Sequence, residues 1–338
     1  MPVVSVLLPC YNAAETLAEA LDSLISQTLS DFELVTVNDG STDATPQILE
    51  QYAVRDNRFQ IITTPHGGIV QALNSGLKAC RASFIARMDS DDLAHPQRLA
   101  RQVTYLEKNP DIGVVSCRVE AFPAEHVRQG FQVYINWLNG LLSDADIHRE
   151  IFIESPLPHP SVTLRREILL DAGGYRDHGW AEDYDLWLRM YLSGVRFAKL
   201  PEVLLLWRED PARLTRTDNR YSLENFLRAK AHYLSIGPLA DRDAVFIWGA
   251  GMTGRRISKH LVREGVPLAA FIDVDPAKIG RTKRGLPILS PDELPPQWDR
   301  YRNPALLSAV GTRRARPLIR QHLTNLGLQE GSVWWCVA

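Results

Sequence analysis

The run Ser83-Phe84-Ile85-Ala86-Arg87-Met88-Asp89-Ser90-Asp91-Asp92 decides how this chain is read. Its first half is apolar apart from Arg87 and predicts a short strand from Ser83 to Met88. Three carboxylates arrive where that strand should stop. Side chains alternate along an extended backbone, so Asp89 and Asp91 share one face and Asp92 takes the other. Two anionic oxygen ligands at a strand's carboxyl end suit a hard divalent cation, Mn²⁺ or Mg²⁺. In open α/β sheets ligands bind along that same edge. The plainer reading of the acidic run alone is a solvated turn with Asp92 capping the next helix.

Upstream, Val3 to Leu8 is a continuous apolar run, as in a strand buried on both faces of a parallel sheet, and Pro9-Cys10-Tyr11-Asn12 breaks it. A helix is expected from about Ala14 to Gln27, with Leu17, Ala20, Leu21, Leu24 and Ile25 on one stripe. Phe32 to Val37 predicts a second strand. It ends in Asn38-Asp39-Gly40-Ser41-Thr42, where Ser41 or Thr42 can cap a helix running through Ala53. A third strand is expected at Phe59–Thr63, and Gly67-Gly68 opens a helix to Ala79. Strand and helix alternate with short connections, which predicts a mainly parallel, doubly wound α/β sheet flanked by helices. Its strand ends bring Tyr11-Asn12, Asn38-Asp39 and Asp89-Ser90-Asp91 to one edge. A nucleotide lying across that edge would meet Tyr11 with its base and Asp39 with a base N–H.

These stretches resemble family 2 glycosyltransferases, whose nucleotide-sugar-binding domain has the GT-A fold. The likeness rests on VSVLLPCYNAAETLAEALDSLISQT, FELVTVNDGSTDAT, GIVQALNSGLKAC, FIARMDSDDLAHPQRL and the later GWAEDYDLWLRM, in order, over roughly the first 235 residues. It implies a nucleoside-diphosphate donor, usually a UDP-sugar, and a divalent metal held by the Asp-X-Asp motif. Pro9, Tyr11, Asp39, Asp89 and Ser90 would then bind the nucleotide, with Asp89 on the ribose side and Asp91, with Asp89, at the metal. In the Glu182-Asp183-Tyr184-Asp185 run, the likeness gives Asp183 the general-base role and Glu182 a supporting one. Without it, all three acids read as first-turn residues favoured by a helix dipole. The likeness also implies transfer with inversion to a hydroxyl on a glycan or lipid-linked acceptor, in surface-polysaccharide or glycolipid assembly.

The remaining polar residues divide in the same way. His159, between Pro158 and Pro160, either orients a phosphate or acceptor or has a structural role. A helix is expected from His95 to about Lys108, and Val119 to Asp146 is poorly periodic. After the strand-like Glu202–Trp207, Glu209 and Asp210 stand where many relatives carry a histidine, which leaves a third metal ligand open. Arg208, Arg213 and Arg216 could neutralise a diphosphate instead.

The pattern resets near Ile236-Gly237-Pro238, which divides the chain into 1–237, the nucleotide-sugar-binding domain, and 238–338, a small Rossmann-like α/β domain. There Gly249, Gly251 and Gly254 sit between a strand and a helix, and Asp273 follows about 20 residues on. NAD(P) or phosphate binding and a purely structural glycine turn both fit. Arg313, Arg314 and Arg316 open a later helix that could hold an anion.

Bulk composition narrows the classes. The chain has 338 residues and a formal net charge of −2. Residues 240–338 carry 15 Lys+Arg against 9 Asp+Glu, and the remainder 23 against 31. The acidic first part argues against nucleic-acid binding. The basic remainder leaves peripheral attachment to an anionic membrane surface open. Cys10, Cys80, Cys117 and Cys336 have neither metal nor redox spacing, so a reducing, cytoplasmic setting is expected. No signal peptide and no spanning segment is expected. Rival readings are a degenerate nucleotide-sugar-binding or regulatory protein and a nucleotidyltransferase. The latter normally needs a Gly-rich basic loop after the first strand, and Pro9–Glu15 has neither glycine nor base. Oligomeric state is not legible.

Overall fold

The computed structural model describes residues 1–210, 213–312 and 314–338; Pro211, Ala212 and Arg313 lie outside the described residues. By internal contacts the chain divides into two compact units. One comprises 1–147, 156–178 and 182–217, and the other 148–155, 179–181 and 218–338. Residues 218–237, placed with the first domain in the sequence reading, cluster with the second unit.

The first unit follows β1 (Val4–Cys10), α1 (Leu17–Ile25), β2 (Phe32–Asn38), α2 (Thr45–Arg55), β3 (Phe59–Thr63), α3 (Ile69–Ala79), β4 (Phe84–Arg87) and β5 (Leu93–Ala94). It continues with α4 (Arg98–Lys108), β6 (Ile112–Phe122), α5 (Gln129–Asn139), α6 (Asp144–Glu150), β7 (Thr163–Arg165), α7 (Arg166–Asp171), α8 (Glu182–Leu192), β8 (Arg196–Arg208) and α9 (Leu214–Thr217). Among the described residues the strands form an eight-stranded sheet in the order β3-β2-β1-β4-β7-β6-β8-β5. β1 runs parallel to β2 and β4, β2 to β3, and β6 to β8, while β7 and β5 pair antiparallel with their neighbours.

β1 and β2 are buried along their whole length, which explains their unbroken apolar runs. Val4, Val6 and Leu8 face Leu17, Leu21 and Leu24 of α1 and Leu99, Val103 and Leu106 of α4 in one core cluster. α3 covers the other face. A Cβ on its Gly76 would stand 2.3 Å from Leu7 Cδ1 and 2.7 Å from Val37 Cγ2, so the helix rides close over the sheet. Chain order places β2 and β3 on one side of β1 and β4 on the other. That reversal opens a crevice at the carboxyl ends of β1 and β4.

Three local expectations change. The segment Val119–Asp146 contains the end of β6 and all of α5, because α5 needs few large residues inward: only Ile135 and Leu138 are buried. Helix α4 begins at Arg98, not His95. Ser41 and Thr42 do not cap α2, since its N-cap, Ala44, has no side-chain partner and Asp43 Oδ1 accepts from Thr45 N at 3.0 Å. They turn back to β1 instead: Asn12 N donates to Ser41 Oγ at 3.0 Å and Thr42 N to Asn12 Oδ1 at 2.8 Å.

The second unit carries α10 (Leu223–Ile236), β9 (Ala244–Trp248), α11 (Met252–Arg263), β10 (Leu268–Ile272), β11 (Thr282–Lys283), β12 (Leu286–Leu289), α12 (Leu294–Trp298), β13 (Pro304–Ser308), α13 (Ala315–Asn325) and β14 (Trp334–Cys336). Its described strands are ordered β11-β12-β10-β9-β13-β14, and only the β11–β12 pair is antiparallel. No described helix is long and apolar enough to cross a membrane.

Candidate active site

The acidic run is not extended. β4 ends at Arg87 and the chain turns at Ser90-Asp91, so alternation does not apply to Asp89–Asp92. The turn brings all three carboxylates together: one oxygen from each of Asp89, Asp91 and Asp92 lies within 4.8 Å of the others. Asp92 therefore joins the cluster and caps no helix. It is fully buried, its Oδ1 accepts from Arg208 N at 2.8 Å, and its Oδ2 has no partner among the described residues. Burial, then the charge of Asp89, pushes Asp91 up to about 6. Burial, then Asp91 and Asp89, drives Asp92 well above the usual carboxylate range. Three anionic groups held this close, with one buried oxygen orphaned, fit a divalent cation, which would remove the repulsion and occupy the orphan.

The loop is braced from outside. Thr16 Oγ1 donates to Ser90 O at 3.0 Å, and Arg208 Nε donates to Asp91 O at 2.6 Å. Arg208 also stacks over Phe122 at 4.4 Å and pairs with Glu19. Glu209 is buried and pairs with Arg213 and Arg216. It therefore anchors arginines. Arg213 lies over Trp207 at 4.6 Å, and its charge acts on Asp91 and Asp92.

At the ends of β1 and β2, Tyr11 is exposed and stacks on His66 with ring centroids 4.0 Å apart. Pro9 is buried inside β1. Asp39 is buried and well supplied with donors. Gly67 N and Gly68 N each reach a carboxylate oxygen at 2.9 Å, His66 Nδ1 lies 2.9 Å from Oδ2, and Thr64 Oγ1 lies 3.4 Å from Oδ1. The expected bond from a base N–H to Asp39 would have to displace one of these. His66 Nδ1 faces only acceptors, the Asp39 carboxylate and the Asp39 carbonyl at 3.1 Å, so it carries the ring proton. With the proton on Nδ1, Nε2 is the acceptor whenever the ring carries no charge.

Glu182 and Asp183 open α8 in the same unit. Asp183 keeps a partly exposed edge, yet burial, then the neighbouring Glu182, pushes its carboxyl up to about 8. Its Oδ1 accepts from Tyr184 N at 2.7 Å. Asp185 has a different job. It is fully buried against Arg189 at 2.8 Å, and Arg189 bonds the carbonyls of Ala172 and Gly174, fixing the turn before α8. His159 is structural too. Its Nε2 meets Tyr175 Oη at 3.0 Å, and burial, then Arg87, holds it well below the usual histidine range.

Arg87 is the residue the sequence reading passed over. It is 3 % exposed, pairs with Asp89, and its charge acts on Asp91, Glu182 and Asp183. A lone arginine in an otherwise apolar strand was the available signal.

In the second unit Gly249 has φ 107° and Gly254 packs so closely that a Cβ would meet Gly249 O at 1.9 Å. Gly251 N-caps α11. Asp273 accepts from Ala250 N at 2.9 Å, Asp275 N at 3.0 Å and Lys278 Nζ at 3.1 Å. Against the effect of burial, these partners hold its carboxyl below the ordinary range. The glycines thus have a packing role, and the acid that would meet a ribose already bonds its own fold. Of the basic trio, Arg316 Nη2 donates to Ala338 O at 2.9 Å and its Nη1 lies 3.8 Å from Glu150, and Arg313 lies outside the described residues.

Comparison with known proteins places this geometry. The sequence model of glycosyl transferase family 2 matches residues 5–172. The amylovoran biosynthesis glycosyltransferase AmsE of Erwinia amylovora is 35 % identical over 60 % of this chain and 74 % of its own length. The putative glycosyltransferase EpsE of Bacillus subtilis is 30 % identical over 84 % of this chain and 97 % of its own.

The chain belongs to glycosyl transferase family 2.

This family 2 glycosyltransferase is also similar, at 30 % identity over 62 % of the chain and 80 % of the relative, to the O-antigen biosynthesis glycosyltransferase WbnJ of Escherichia coli. In fold it resembles S. aureus TarS in complex with UDP-GlcNAc, with TM-score 0.57 and 20 % identity over 78 % of this chain and 71 % of that one. It also resembles the mannosyltransferase PcManGT of Pyrobaculum calidifontis in complex with GDP-Man and Mn²⁺, with TM-score 0.51 and 23 % identity over 69 % and 62 %. These two likenesses bear out the GT-A architecture expected from the sequence.

Proposed function

We propose that this enzyme transfers a sugar, with inversion, from a UDP-sugar to an acceptor hydroxyl in surface-polysaccharide or glycolipid assembly, with a divalent cation at Asp89, Asp91 and Asp92. The observation that carries the reading is the pairing, within one unit, of a clustered carboxylate loop with a second acidic pair, both acted on by the charge of Arg87. UDP-GlcNAc and Mn²⁺ in the names of the fold relatives, and amylovoran and O-antigen in those of the sequence relatives, support it.

The residues divide the work by their chemistry. Tyr11 and His66 form an aromatic platform for the base, and His66 Nε2 accepts from a base N–H in place of Asp39. Asp39 holds the Gly67-Gly68 loop that frames this platform. Asp183 takes the proton from the acceptor hydroxyl, whose oxygen attacks the anomeric carbon. The bond from that carbon to the phosphate oxygen breaks, and the diphosphate leaves with the electron pair. A single displacement of this kind inverts the centre. A carboxylate is needed because a sugar hydroxyl is a weak nucleophile near neutral pH. When bound, Mn²⁺ or Mg²⁺ offsets the negative charge gathering on the diphosphate. Arg213, held beside the cluster by Glu209, adds a further positive charge there.

The test is release of UDP from a panel of UDP-sugars with a glycan or lipid-linked acceptor, with Mn²⁺ or with chelator. Cation-dependent UDP release supports the reading. Equal release in chelator rejects the metal role, and release of pyrophosphate from nucleoside triphosphates would make it a nucleotidyltransferase.

A further inference from the structure

We infer that the second unit docks on an anionic lipid surface through the outer face of α11 and the adjoining β11–β12 hairpin. This surface belongs to a different unit from the acidic cluster and owes nothing to the reading of that cluster.

α11 is a one-sided helix. Its Gly254, Ile257, Ser258, His260 and Leu261 are buried. The positions left at least partly exposed on the other side recur every three or four residues: Met252, Arg255, Arg256, Lys259, Val262 and Arg263. Four of these six are cations and none is an acid. Lys259 pairs with Glu224 of α10 at 2.8 Å. Arg255, Arg256 and Arg263 form no ion pair among the described residues. That sets them apart in this unit, where Lys278 pairs with Asp273, and Arg316 and Arg320 lie against Glu150. The hairpin widens the basic surface. Arg284 and Gly285 are left-handed, with φ 53° and 75°, and make the two-residue turn between β11 and β12. Arg284 Nε donates to Ser258 Oγ at 3.0 Å and its Nη2 to Arg255 O at 3.0 Å, which ties the hairpin to the flank of α11. The exposed Arg281, at the foot of the hairpin, also forms no ion pair among the described residues.

A merely solvated face mixes charges of both signs. This one sets unpaired arginines beside two large apolar side chains, Met252 at 62 % exposed and Val262 at 53 %. Those two stand at opposite ends of α11, about 15 Å apart along its axis. A helix lying flat on a plane would therefore make an apolar contact at each end, with guanidinium groups between. Anionic headgroups fit that arrangement. Their phosphate oxygens accept from the arginine forks, and the two apolar side chains enter the boundary between headgroups and acyl chains. A nucleic acid would use the cations and leave Met252 and Val262 in water. A single free phosphate would leave most of the arginines unused.

The experiment is co-sedimentation of the full chain with vesicles of phosphatidylcholine, alone or with about one third phosphatidylglycerol. The variants are Arg255→Ala with Arg256→Ala and Arg263→Ala, the same three positions changed to lysine, and Met252→Ser with Val262→Ser, each checked for folding by its melting temperature. Wild type should bind only the anionic vesicles and come off as salt rises from about 0.05 to 0.5 M. Each arginine near such a surface contributes about fivefold in affinity, so the triple alanine variant should bind on the order of 100-fold more weakly, and the triple lysine variant within about threefold of wild type. The serine pair should bind about tenfold more weakly with the same salt dependence. No sedimentation of the wild type, equal sedimentation with neutral vesicles, or an unweakened triple alanine variant or serine pair overturns the assignment. Release by inorganic phosphate beyond that by chloride of equal ionic strength would give the face to a free anion. Tighter binding to a duplex oligonucleotide than to the vesicles would give it to nucleic acid, and either result overturns the assignment. If the triple alanine variant does not fold, the serine pair and the wild-type salt series decide, and binding that neither weakens overturns it. Sedimentation needs no turnover, so failure here leaves the transferase reading standing, and failure to release UDP leaves the docking face standing.

Discussion

Asp183→Asn should make the protein more stable while removing its transfer activity. Burial, then Glu182, raises this carboxyl from an ordinary 3.8 to about 8. A carboxyl whose folded value lies above its unfolded one keeps its proton in the fold, so stability falls as pH rises between those values and levels off above the upper one. Each pH unit in that window costs about 1.4 kcal/mol. At pH 7 the aspartate therefore costs the cation-free fold roughly 4 kcal/mol relative to a neutral group. Solvent at its partly exposed edge and its coupling to Glu182 bring the expected gain for asparagine to about 2–4 kcal/mol. The amide oxygen still accepts from Tyr184 N, so no hydrogen bond is lost. Urea denaturation in chelator at about pH 4, 7 and 8.5 measures the difference, which should be near zero at the first and largest at the last. A variant less stable than wild type at pH 7, or one whose gain does not change with pH, refutes the reasoning. Stability given up at a catalytic position is a common trade.

Four further outcomes are expected. Mn²⁺ should stabilise the wild type thermally and Asp91→Asn should abolish that effect, while itself stabilising the cation-free protein above about pH 6, both seen by differential scanning fluorimetry. His66→Ala should raise donor KM about tenfold with little change in kcat, because it removes the base platform but no reacting group; an unchanged KM would return the base contact to Asp39. Arg189→Ala should cost about 3–5 kcal/mol by removing the arginine that pairs with the buried Asp185 and bonds the Ala172 and Gly174 carbonyls, measured by denaturant midpoint, and a loss below 1 kcal/mol would contradict its role in fixing the turn. Titration with NAD⁺ or NADP⁺ to millimolar concentration should leave tryptophan fluorescence unchanged, since Asp273 already bonds Ala250, Asp275 and Lys278; saturable quenching would assign the second unit a cofactor.

Much of the fold was legible because burial writes itself directly into sequence. β1 and β2 are apolar without a break since both faces are covered, and the stripe Leu17, Leu21, Leu24 marks the covered side of α1. Turn geometry was not legible. Alternation assumes an extended chain, and Asp89–Asp92 bends at Ser90-Asp91, which brought Asp92 into the cluster instead of to a helix cap. Asp39 was named from its place at a strand end, but its partners Gly67 and Gly68 come from the next connection but one, a non-local pairing no local pattern reveals. Glu209, by contrast, pairs with Arg213 and Arg216 only four and seven residues on, where the sequence reading set those arginines toward a diphosphate. Arg87 was visible as a charge in an apolar strand, but its pairing with Asp89 depends on the turn that follows β4.

Isothermal titration of UDP-sugar into wild type and Asp91→Asn, each with Mn²⁺ and with chelator, addresses the acidic loop itself. Wild type should bind at least about tenfold more tightly when the cation is present, and Asp91→Asn should bind weakly under both conditions. Equal affinity for wild type in chelator and in Mn²⁺ would contradict a cation-bridged donor at Asp89, Asp91 and Asp92.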